Sequence, residues 1–191
     1  MSHRSGAQVI TYLLEPKNWI VVTVLGVGWH AAGRAGLGWG ALAAVFAAAL
    51  PTVFINRGVR TGRWADRNVG TRGARLIVLA FILGSVAIGL FLLTMLGAPR
   101  MLIGYVACML ASVAVLAAIT AAWKISIHCA VASGSVCVLA LIYGLLVLPA
   151  YVLVALLAWS RVRMTDHTLA QTLAGIVLGA LAGFATYVAI T

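Results

Sequence analysis

The chain has 191 residues, 64% of them apolar and only 8% charged, with a mean hydropathy of +1.12. Soluble domains run near half apolar and about a quarter charged, and disordered chains combine low hydrophobicity with high charge; both classes are excluded. The formal charge of +10 belongs with the Lys and Arg that gather on the cytoplasmic side of membrane helices, and with phosphate binding by some of them, so nucleic acid is not an expected partner.

Residues 1–18 read as an interfacial segment, because Glu15-Pro16-Lys17 interrupts the apolar stretch after Arg4 too early for a secretory signal. Two spans follow, 19–33 and 39–56, the second with a kink at Pro51. The polar stretch 57–75 carries Arg57, Arg60, Arg63, Arg67, Arg72 and Arg75. Spans 76–96 and 101–123 flank the turn Gly97-Ala98-Pro99-Arg100. Residues 129–159 would make a helix of ~46 Å, too long for one crossing of ~30 Å, so Gly144 and Pro149 divide them into two short spans. The last span is 168–190, with Gly175, Gly179 and Gly183 forming a ridge that lets another helix approach.

The expected class is therefore an all-α, polytopic transmembrane helical bundle of six to seven spans, six if the short first span crosses only halfway. Trp19, Trp39, Trp123 and Trp159 fall at expected helix ends, where amphipathic rings favour the headgroup level. Cys108, Cys129 and Cys137 lie in apolar runs without a CxxC pair and read as small hydrophobes rather than as disulfide or zinc ligands.

If each run crosses once, the N-terminus, 57–75, 124–128 and 160–167 share one face, and only Arg34 and Arg100 of the thirteen basic residues lie on the other. The positive-inside bias places the charged face in the cytoplasm of a multi-pass protein, with the plasma membrane as the expected location. It also gathers three segments: Arg60-x6-Arg67-Asn68, Lys124-Ile125-Ser126-Ile127-His128, and Ser160-Arg161-x5-His167-x3-Gln171. Histidine serves as nucleophile or general acid near neutral pH. Arginine's fork suits phosphate oxygens at any working pH. Such a cluster is what phosphoryl transfer without a metal requires.

These blocks resemble the type 2 phosphatidic acid phosphatase superfamily of membrane lipid phosphatases, whose signature is Lys-x6-Arg-Pro, then Pro-Ser-Gly-His, then Ser-Arg-x5-His-x3-Asp. Ser160, Arg161 and His167 match the third block; Ser126 and His128 match the second, with Ile125 and Ile127 for proline and glycine; Arg60 and Arg67 match the first, with Asn68 for proline. The resemblance covers about 57–185, and the division of the chain follows it: spans at 19–56, then a phosphatase-like core at 57–191. Gln171 stands where the family has Asp, so the residue orienting the histidine carries no negative charge, and Asp166 is the alternative. A register using Ser133-Gly134-Ser135 for the second block loses the histidine and buries the motif.

The resemblance implies that His167 attacks phosphorus and forms a phosphohistidine, while His128 protonates the leaving alkoxide and then activates water. It implies that Arg161, Arg67, Lys124 and Arg60 hold the phosphate oxygens, that Ser126 and Ser160 donate further hydrogen bonds, and that no metal or other cofactor is needed. The expected substrate is a lipid or isoprenoid phosphate drawn from the bilayer. Arg57, Arg63, Arg72 and Arg75 read as flanking charge, His30 as a packed polar residue away from the cluster, and Asp66 as the partner of a nearby arginine. Two other readings compete. A Mg²⁺-dependent transferase needs more carboxylates than Glu15, Asp66 and Asp166 supply. A lipid-phosphate-binding protein that has lost the reaction is favoured by Gln171.

Overall fold

The structure is a computed structural model that describes residues 6–64 and 71–191. Among these residues all regular structure is helical. Helix α1 (Gly6–Leu13) buries Ala7 and Thr11 while exposing Val9, Tyr12 and Leu13, as an interfacial segment should. Pro16 opens α2 (Pro16–Ala44) in the first turn, where its missing N–H costs nothing.

The chain reverses within α2. Ala32 leaves helical geometry and Gly33 takes φ +54°, ψ −132°, a conformation open to glycine and costly for other residues. The arms on either side pack closely: a Cβ on Gly28 would lie 2.3 Å from the Gly36 carbonyl oxygen, and one on Gly40 would lie 2.7 Å from that of Val24. The break expected between spans over 34–38 is thus helical. Of its glycines, Gly36 serves close packing rather than a loop.

The kink expected at Pro51 takes the form of a π-helical stretch, Val45–Ala49, that leads into α3 (Leu50–Arg60). In a π turn the carbonyl of Phe46 would be met by the N–H of residue 51, which proline lacks. Ser85 of α4 (Arg72–Met95) supplies the donor instead, at 2.6 Å. Gly97 (φ +77°) and Pro99 turn the chain into α5 (Arg100–Ala122). Helix α6 (Ile127–Tyr143) stops at Gly144 (φ +95°), and a 3₁₀ stretch, Leu145–Ala150, connects it to α7 (Tyr151–Arg163). The division expected at Gly144 and Pro149 is present. Helix α8 (Leu169–Ile190) completes the chain.

Among the described residues, five helical stretches are long and apolar enough to cross a membrane. The first of them, Gly6–Arg60, folds back at Gly33, which makes five to six such helices rather than six to seven. The shortfall lies in α6, whose 17 residues span ~26 Å, less than a ~30 Å hydrocarbon core. The glycine ridge of α8 seats against α6: Cβ atoms on Gly175, Gly179 and Gly183 would lie 2.6, 2.1 and 2.7 Å from the carbonyl oxygens of Ser126, Ala130 and Gly134. Trp123 and Trp159 are exposed near helix ends, as expected. Trp19 is not: it is buried against Cys129, Ala132 and Leu157. His30 is exposed and meets Tyr143 edge-on at 5.7 Å rather than being packed in the core.

Candidate functional site

The spacing of the third block is resolved by how α7 ends. After Arg163 the chain turns through Thr165, a β-branched residue at φ +57°, and the N–H groups of Asp166 and His167 both donate to the Arg161 carbonyl, at 3.2 and 3.4 Å. The turn brings Asp166 back onto the Arg161 guanidinium at 3.1 Å. Arg161 is 1% exposed, and a charge so buried requires such pairing. Asp166 therefore holds Arg161, while the orienting partner of His167 is Gln171.

That partner is fixed by the cap of α8. Thr168 accepts from the Gln171 N–H, and the Thr168 N–H donates to Gln171 Oε1 at 3.1 Å, a capping box. His167 Nδ1 lies 3.2 Å from the same Oε1. A carbonyl oxygen only accepts, so Nδ1 carries the proton and the lone pair is left on Nε2. The Gln171 backbone carbonyl in turn accepts from the Ser126 N–H at 3.2 Å, which ties the start of α6, and with it His128, to the same turn. The sequence already marks Gln171 as a residue orienting His167; the capping box with Thr168 that fixes its oxygen is what the structure adds.

His128, His167 and Arg161 all line one cavity of about 170 Å³, together with Arg75 from the first turn of α4. Its walls are otherwise mainly apolar, from Ile20, Pro51, Ile55, Val78, Leu79 and Ile82. Glu15 and Lys17, which pair with each other, also line it. The cavity thus draws on residues before 57 as well as on those after it. Burial first, then the charges of Arg161, Arg75 and Lys124, lowers the His167 pKa to about 4, against a small opposing effect of the Gln171 hydrogen bond. His167 is therefore a neutral imidazole at neutral pH. Lys124 is exposed; partial burial first, then Arg75 and Arg161, lowers its pKa, while Asp166 opposes them.

The remaining residues expected at the site divide. Ser126 is buried beside it, holding Gln171 through its backbone. Ser160 turns away: its hydroxyl donates to the Leu157 carbonyl at 2.7 Å and lies 2.9 Å from the Thr11 hydroxyl of α1. Arg60 is exposed at the end of α3 and is not among the lining residues. Arg67, Asn68 and Asp66 lie outside the described residues. Among the described residues, Arg75, read from sequence as flanking charge, is the basic residue from the 57–75 stretch that lines the cavity, and it is buried. Among the described residues, no three of His, Cys, Asp and Glu gather as a metal site would need.

No family model, curated protein or solved structure matches the chain. The functional reading accordingly rests on the blocks and on this cavity.

Proposed function

We propose that the chain is a metal-independent integral-membrane phosphatase that hydrolyses a lipid or isoprenoid phosphate, monoester or diphosphate, through a phosphohistidine. The observation that carries this reading is that two imidazoles from different elements, His128 at the start of α6 and His167 before α8, line one cavity with two buried guanidiniums.

In this mechanism Arg161 and Arg75 hold the phosphoryl oxygens, and the backbone amides in the first turn of α6 add the positive potential of a helix N-terminus. His167, with its proton held on Nδ1 by Gln171, attacks phosphorus through the Nε2 lone pair. The P–O bond to the alcohol breaks, and a proton from His128 goes to the departing oxygen. The phosphate dianion favours the imidazolium form of His128 while the substrate is bound. His128 then takes a proton from water, which attacks the phosphohistidine and frees His167 and inorganic phosphate. The positive-inside bias puts this face of a plasma-membrane protein in the cytoplasm.

The test is phosphate release from phosphatidic acid, phosphatidylglycerophosphate and prenyl phosphates in detergent, with and without EDTA. At least one substrate should be turned over, insensitive to EDTA and lost in His167→Ala. Gln171 favours a second reading, phosphate binding without turnover, because a neutral amide does not stabilise an imidazolium as a carboxylate does. Saturable lipid-phosphate binding with no release from any substrate would select it.

A further inference from the structure

A second and larger cavity, about 560 Å³, lies deeper in the bundle between α4, α5, α6 and α8. Ile20, Ala47 and Ile82 line both this cavity and the histidine cavity. The two spaces therefore adjoin across one narrow set of side chains, of which Ala47 is the smallest. On α8 the lining runs from Leu178 to Ala189, ~16 Å along the axis, close to half of a ~30 Å hydrocarbon core. The direction is consistent on every wall, since α4, α6 and α8 all begin at the histidine end and α5 ends there.

The lining makes little demand for polar partners. The hydroxyls of Ser112 and Thr186 donate to carbonyls of their own helices, at 2.8 and 2.7 Å. Val115 of α5 and Leu181 of α8 line the cavity yet are 48% and 63% exposed, so the space also opens sideways between these helices. An apolar chamber open to lipid on one side and to a phosphate-suited cavity at its end has the form of an amphiphile: one hydrocarbon chain with an anionic head.

We propose that this chamber holds the hydrocarbon chain of the phosphate ester whose head occupies the histidine cavity, that the chain enters between α5 and α8, and that Ala47 sets the aperture between head and chain. The proposal rests on the phosphate-site reading above, but its test does not need turnover.

The probe is a non-hydrolysable alkyl phosphonate with a diazirine at the chain end, bound to the full-length protein in detergent, photolysed and mapped by mass spectrometry. Adducts should fall within 105–116 and 178–189, and excess unlabelled phosphonate should reduce them at least tenfold. Ala47→Phe and, within the chamber, Ala182→Phe should each lower labelling there tenfold, with thermal unfolding checking that each variant is folded. Adducts confined to outward faces of other helices, or equal labelling by the matching alcohol without a phosphonate, would overturn the proposal. Labelling of the chamber without phosphate release from any ester would retire hydrolysis and leave the chain site standing; release with labelling elsewhere would retire the chain site alone.

Discussion

His167 Nδ1 and Gln171 Oε1 lie 3.2 Å apart, and because the same oxygen accepts the Thr168 N–H, the amide cannot be turned to offer its NH₂. A neutral side chain thus performs half of what a carboxylate would do there. It fixes the tautomer and ring orientation but adds no charge. The consequence is a histidine whose pKa falls to about 4 in a field set by burial and three cations.

This has a direct signature in titration. In the substrate-free protein the His167 imidazole should titrate at about 4, well below the ordinary histidine range, as read by NMR. Gln171→Glu keeps the acceptor and adds a negative charge within hydrogen-bond distance, which raises the histidine pKa by roughly one to two units. The titration midpoint should move up by that amount. Gln171→Leu should lower kcat by at least about tenfold as the tautomer is lost. A midpoint near 6.5 in the unaltered protein would contradict the assignment.

Arg75 and Arg60 separate the cavity from its surroundings. Arg75→Ala should lower kcat/KM by roughly 10²-fold, the scale for one lost donor to transition-state charge. Arg60→Ala, exposed and outside the cavity, should stay within about twofold. Phosphate-release assays on the two variants side by side decide this, and equal losses would argue for a general surface-charge effect.

Arg161→Lys keeps the charge but loses the fork that reaches both Asp166 and a phosphate. Activity should fall by about 10²- to 10³-fold with a modest drop in Tm. Arg161→Ala should also destabilise the fold, by about 3 kcal/mol on the scale of broken buried ion pairs; thermal unfolding distinguishes the two effects.

Ser160 is expected to behave as a structural residue. Removing its hydroxyl in Ser160→Ala breaks the contact with Thr11 and should cost about 1 kcal/mol of stability, with kcat reduced less than about tenfold. A loss of 10²-fold or more without destabilisation would return Ser160 to the phosphate.

The legible parts of the fold were those governed by short-range pattern. The four-residue period of Gly175, Gly179 and Gly183 announced a close helix contact, and α6 fills it. The break at Gly144 followed from the length of 129–159 together with the turn residues Gly144 and Pro149. The hairpin at Gly33 was misplaced because glycine is used both for a positive φ and for helix approach, and 26–40 contains both uses. The π-helical stretch depends on Ser85, 39 residues beyond Phe46, which no local pattern reveals. At the site, the third block carried its own geometry, since the turn after α7 is built from adjacent residues. Arg75 did not stand out, because a basic residue at a span boundary reads as flanking charge whether it faces lipid headgroups or a cavity. Only the packing of α4 against α3 and the π stretch tells the two apart.

Whether His167 becomes phosphorylated can be read from one sample. His128→Gln, incubated with a lipid phosphate and quenched in alkali, where phosphohistidine survives, should accumulate a phosphoryl group on the peptide containing His167, and His128→Gln/His167→Asn should show none. Continued phosphate release with His167 unmodified, or a phosphoryl group found on another residue, would mean that these two imidazoles do not share one phosphorus atom.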